Sequence, residues 1–179
     1  REQLGDVVVL KEKPSPTGAF AWRWLWAAPA WYAPPTTPDD ELLLRTAAGV
    51  VVNEEGIGPG YRSAYGLVML QHHQADPNGT GRFADTGVRT HGTGDVESVI
   101  VAGVSHGCHR LLPLLAIRLG GFLLAHRAHG APEPVEDSWA RDVRAGSRVL
   151  HVERKLRGMR VELTPPVEVF VVAECSGEG

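Results

Sequence analysis

Phe20–Trp26 reads FAWRWLW, with indoles at every second position, Trp22, Trp24 and Trp26. A period of two is that of an extended chain, whose side chains leave alternately to opposite faces. The heptapeptide therefore predicts a β-strand carrying three indoles on one face. Two readings of that stripe are open: inter-sheet core, as aromatic burial favours, or the wall of a ligand site.

Similar runs recur on either side: DVVVL (6–10), AAGVVV (47–52), YGLVML (65–70), ESVIVAGV (97–104), RVLHVERKL (148–156), GMRVEL (158–163) and VEVFVVA (167–173). Each is short, rich in β-branched residues and bounded by turn formers, so the chain reads as mainly β. The exception is LLPLLAIRLGGFLLAHRAHG (111–130), where Leu111, Leu115, Leu119, Phe122 and Leu123 fall at helical spacing. Pro113 suits its first turn and Gly130 its stop, while Gly120 and Gly121 weaken the middle enough to suggest two pieces. A second, weaker helix is expected around Asp137–Arg144. APAWYAPPTTPDDE (28–41) and QHHQADPNGTGRFADTG (71–87) read as surface loops.

The 179 residues are 43% hydrophobic, enough for one domain with a real core, and carry 21 glycines and 13 prolines, so turns are frequent. A net charge of -3 offers no basic stripe for a phosphate backbone, which makes nucleic acid a poor partner. Leu111–Ala125, the longest apolar region, is interrupted by Arg118 and falls short of the roughly 20 residues of a membrane span. The opening REQLGDVVVL lacks the features of a signal peptide and has no Met, and reads as a processed or truncated form.

Two cysteines are present, and Cys108 sits in VSHGCHRLLP (104–113), between His106 and the pair His109-Arg110. A cysteine attacks as its thiolate, which needs a base or a positive environment at neutral pH. On a strand, His106 and Cys108 share a face, and Gly107 bares a backbone amide suited to an oxyanion. A helix from Leu111 would aim its positive end back at the sulfur. Upstream, His91-Gly92 stands 14 positions before Ser105, a spacing that permits contact through one turn and one strand. His91 is then either a base for the thiol or an ordinary turn residue.

The segments HGT (91–93) and SHGCHRL (105–111) together resemble the catalytic signature of the YkuD-type L,D-transpeptidases, a His-Gly followed by [Ser/Thr]-His-Gly-Cys-x-[Arg/Asn]. SPTGAF (15–20) is similar to the family's Thr-Pro-x-Gly-x-Phe segment, and WYAPP (31–35) and GPGYRSAYG (58–66) match more loosely. The resemblance covers roughly residues 5 to 115. It departs at His109, where the family usually has an aliphatic residue, and in a longer stretch before His91.

The resemblance implies a single-domain β-sandwich or cradle spanning 1–179, with one or two short helices after the motif and 131–179 extending the sheet. It implies a cysteine acyltransferase that forms a thioester at the L-D bond of a peptidoglycan tetrapeptide stem and passes it to an amine. Cys108 would be the nucleophile, and His91 the base, held by the Gly92 carbonyl. His106 would be a second imidazole tuning the thiol. Ser105, Gly107 and the amides of His106 and Cys108 would serve oxyanion and substrate binding. Arg110 would orient substrate or the motif loop, or else form a structural ion pair. Trp31 and Tyr32 are the expected lid. No cofactor is implied, carbapenems are expected inhibitors, and a bacterial periplasm or cell envelope is the expected location. Three alternatives accompany this reading: hydrolysis of the same acyl-enzyme, as an L,D-carboxypeptidase or crosslink-cleaving amidase; a His/Cys zinc centre; and a Cys108–Cys175 disulfide in an envelope scaffold.

Overall fold

The computed structural model describes residues 2–4, 7–9, 15–75, 82–100 and 107–173. Strands β1 (Glu2–Leu4) and β2 (Val7–Val9) form a hairpin ahead of β3 (Gly18–Ala27). A segment without regular structure leads to a 3-10 helix (Asp39–Leu42), a hairpin of β4 (Leu43–Thr46) and β5 (Gly49–Val52), and the short helix α1 (Glu54–Ile57). Then follow β6 (Val68–Ala75), β7 (Phe83–Gly92), α2 (Glu97–Ile100), β8 (His109–Leu111) and α3 (Pro113–His126). The chain closes with β9 (Glu133–Ala145) and β10 (Arg148–Val171). The protein is mainly β, and its framework is one six-stranded mixed sheet in the order β8-β7-β6-β3-β10-β9. Every pairing in it is antiparallel except β7 with β8.

Phe20–Trp26 does form a strand, β3, but its alternation is interrupted. The register against β6 shifts between Trp22 and Trp24, so that Trp22 lies opposite His72 and Trp24 opposite Gln71. An extra residue in one strand reverses which face the following side chains take. The expected three-indole stripe is therefore split. Trp22 packs with Leu25, Leu70, Leu123 and Leu163 in the cluster beneath α3. Trp24 and Trp26 take the opposite face, under the Arg160 guanidinium at 4.4 and 6.0 Å from their ring centroids.

Four expectations are corrected. ESVIVAGV does not begin as a strand: Glu97–Ile100 is a helical turn, with Glu97 suitably placed in its first turn, and 101–104 lie outside the described residues. The helix expected over Asp137–Arg144 is part of β9, paired residue by residue with β10. An isolated eight-residue helix is unstable in water, whereas the neighbouring strand supplies a complete ladder. The three C-terminal runs are one strand, β10, of 24 residues. The expected loop 71–87 is largely the β6–β7 hairpin, in which Gln71 pairs with Arg89 and His73, Gln74 and Ala75 pair with Asp85, Ala84 and Phe83, and 76–81 lie outside the described residues.

Helix α3 begins at Pro113, in its first turn, and runs unbroken through both glycines. It ends at His126, before Gly130, with Arg127 extended. A Cβ at position 120 would come 2.9 Å from Val68 Cγ1, which accounts for the first glycine by close packing on β6.

Past the end of β3, the β9–β10 hairpin continues as a two-stranded arm of the same sheet. A second apolar cluster forms there from Ala33, Leu42, Ile57, Val143 and Val152, with Trp31 and Trp139 packed against it. Among the described residues no helix is long and apolar enough to cross a membrane.

Candidate active site

The parallel pairing of β7 and β8 brings the two halves of the motif together. Thr90 lies beside His109, His91 beside Arg110, and Gly92 beside Leu111. Cys108 immediately precedes β8, two positions before Arg110, the register partner of His91. Gly107, buried, adopts a φ of 98° that favours glycine and turns the chain into the cysteine. Cys108 is partly exposed. Ser105, His106 and Cys175 lie outside the described residues.

His91 is 4% exposed, and its Nδ1 is 2.5 Å from the Gly92 carbonyl oxygen. A carbonyl can only accept, so Nδ1 carries the proton and Nε2 is left bare. Burial, with smaller contributions from Arg110, His109 and Arg89, lowers its pKa to about 4, so the ring is neutral at pH 7. Among the described residues Arg110 makes no ion pair, and its charge is felt at His91.

Tyr65, which the sequence reading did not single out, completes the group. Its ring meets that of His91 edge-on at 4.9 Å. Burial, and then the charge of Cys108, pushes its phenol up to about 12, so it remains a neutral donor. The loop places it there by close approach: Gly66 is in the left-handed region, and a Cβ on it would fall 2.9 Å from the Gly92 carbonyl carbon. Buried Ser63 fixes the turn, its hydroxyl donating to the Gly66 carbonyl and its own carbonyl accepting from the amides of Gly66 and Gly94. The sequence signal was the Gly-Pro-rich segment ending in Tyr65-Gly66.

From Tyr65 a groove of about 250 Å³ runs between this face of the sheet and the arm, walled by Trp26, Tyr32 and Leu156. Its polar floor is internally satisfied. The Trp26 indole donates to Gln71 Oε1 at 3.0 Å and the Gln71 amide donates to Asp85 at 2.8 Å, while Arg89 grips both Asp85 oxygens at 2.6 and 2.8 Å. The expected lid residues separate here. Tyr32 lines the groove and stacks on Trp139, whereas Trp31 packs into the arm's core. Arg141 clamps the intervening chain, donating to the carbonyls of Pro34 and Thr37 and to Asp39.

The opposite face of the same strands carries a second histidine group. His72, 0% exposed, accepts at Nε2 from the Trp22 indole at 2.9 Å, and the Thr90 hydroxyl lies 2.8 Å from the same nitrogen. Indole is a donor only, so Nε2 is bare and Thr90 must donate to it; the Thr90 oxygen then accepts from His109 Nδ1 at 3.3 Å. This assignment leaves His72 Nδ1 and His109 Nε2 buried without partners among the described residues. Such atoms cost on the order of 1–3 kcal/mol each. Burial lowers the pKa of both rings, that of His72 to about 4. Sequence reading placed His72 in a loop and so missed it. Among the described residues no three His, Cys, Asp or Glu side chains converge as metal ligands.

No family model, curated protein or solved structure matches the chain.

Proposed function

We propose that the protein is a cysteine acyltransferase of the L,D-transpeptidase type, acting on peptidoglycan stem peptides in a bacterial cell envelope, with the mixed sheet as its catalytic cradle. The observation that carries this reading is the His91 tautomer: Nδ1 is committed to Gly92, which leaves Nε2 unprotonated on the strand paired with β8, the strand that Cys108 leads into.

His91 Nε2 takes the thiol proton as Sγ attacks the carbonyl of the L-D bond. The tetrahedral oxyanion forms within reach of the Gly107 and Cys108 amides. On collapse, His91 returns the proton to the departing D-amino-acid nitrogen and a thioester remains. An incoming amine attacks the thioester and gives its proton to His91; the C–S bond then breaks, and His91 returns that proton to the departing Cys108 sulfur, restoring the thiol. A neutral His91 favours proton transfer in step with attack over a preformed ion pair. The groove suits a peptide, since its aromatic walls are apolar and its Arg89 charge is already compensated.

The test is intact mass after incubating wild type and Cys108→Ala with a carbapenem and with a tetrapeptide stem. A covalent adduct on wild type alone, with release of the terminal D-residue, is the expected result. Product analysis with an added amine separates transfer from hydrolysis. Reduced wild type that takes no adduct from either compound overturns the proposal.

A further inference from the structure

The group behind the site has no part in the steps above, yet it links the strands that carry them. Thr90 precedes His91 on β7, and His109 follows Cys108 at the head of β8. The two are register partners, and their side chains hydrogen-bond at 3.3 Å. Through Thr90 the link reaches His72 on β6, and through His72 it reaches Trp22 on β3. Trp22, His72, Thr90 and His109 thus form one side-chain ladder across four neighbouring strands, on the face opposite His91.

We infer that this ladder positions the thiol against its base: His109 and Thr90 lock the short strand β8 to β7 and thereby fix Cys108 relative to His91. This rests on the proposed function for its chemical meaning, but the geometry is independent of any substrate. Strand β8 has three residues and lies at the sheet edge, paired on one side with β7. Three backbone pairs are a weak hold, and a side-chain bond between register partners adds to it where displacement would matter. The ladder is a poor device for stability alone, since two of its ring nitrogens, His72 Nδ1 and His109 Nε2, stay unpaired among the described residues, and an aliphatic side chain at 109 would remove the second of them. Thr90 and His109 are therefore positioning residues, acting through their chain neighbours.

The experiment replaces Cys175 by alanine throughout, so that Cys108 alone reports, and measures its alkylation by iodoacetamide across pH together with acylation by a carbapenem. Thr90→Val and His109→Leu are each expected to slow both reactions about tenfold, with little change in carbapenem KM. Together they should slow them no further than either alone, because they break the same link. Thr90→Ser and His109→Asn should restore rates to within about twofold. Leu163→Ala, in the core cluster on β10, serves as the control for destabilisation.

Wild-type rates in Thr90→Val and His109→Leu overturn the inference. So does an equal slowing in Leu163→Ala, or a wild-type thiol no more reactive than a cysteine peptide. If alkylation follows the expected pattern while no carbapenem adduct forms on any variant, the positioning role stands and the acyl-transfer proposal fails.

Discussion

His91 and Arg110 are register partners across the parallel pairing of β7 and β8, so a fixed positive charge stands beside an imidazole that burial already holds neutral. The charge opposes protonation of the ring. Arg110→Gln should therefore move the acid limb of Cys108 alkylation to higher pH, as the His91 pKa rises toward its ordinary value. A rise in KM for a stem peptide would accompany it if Arg110 also orients substrate. His91→Gln should remove the base and slow acylation by about 10²–10⁴. An unshifted acid limb in Arg110→Gln contradicts the electrostatic role.

Stability should fall in mild acid. In the unfolded chain His72 and His91 take up protons near pH 6.5, whereas folded protein keeps both neutral to about 4. The unfolded state then binds more protons between these values. The stabilisation is complete above pH 6.5 and is lost as pH falls toward 4, by on the order of 3 kcal/mol for His91 alone. Urea unfolding at pH 7.0, 5.5 and 4.5 should show midpoints falling in that order, and constant midpoints would refute it.

The two adjacent glycines of α3 should respond in opposite directions. At Gly121 a Cβ meets nothing within 4 Å, so Gly121→Ala should stabilise by about 0.5–1 kcal/mol through helix propensity. At Gly120 it would press on Val68 Cγ1, and Gly120→Ala should destabilise by about 1–3 kcal/mol. Thermal unfolding of the pair gives the comparison, and a stabilised Gly120→Ala would contradict the packing described.

Arg141 holds the groove wall in place. Its guanidinium reaches two carbonyls and the Asp39 carboxylate, which also accepts from the Arg144 amide. Arg141→Ala should cost about 2–3 kcal/mol and weaken stem-peptide binding by releasing Tyr32. Arg141→Lys, without the planar fork, should recover little of it. Wild-type KM in Arg141→Ala would separate Tyr32 from substrate binding.

Much of the framework was legible because it is local. Phe20–Trp26 shows its strand by alternation, and α3 shows its helix by spacing and by Pro113. What was not legible depends on partners distant in sequence. The shift between Trp22 and Trp24 arises in pairing with β6, and no residue in FAWRWLW announces it. Asp137–Arg144 has helical composition but finds a full ladder on β10. At the site, sequence spacing could bring His91 toward Cys108, and the bond to the Gly92 carbonyl followed from the resemblance and is present, but the burial that keeps the ring neutral could not be read from spacing. Tyr65 and His72 escaped notice because a turn-rich loop and the polar run QHHQ hide, respectively, a ring beside His91 and a wholly buried imidazole.

One strand runs through both apolar clusters. Residues 148–160 of β10 pair with β9 in the arm, and residues 159–171 pair with β3 in the sheet. No linker separates the two regions along this strand, so neither can melt without fraying a ladder that the other needs. The consequence is cooperativity: heating should give a single calorimetric transition whose van't Hoff and calorimetric enthalpies agree, and weakening the arm at Val143 or Val152 should lower the melting point of the whole molecule.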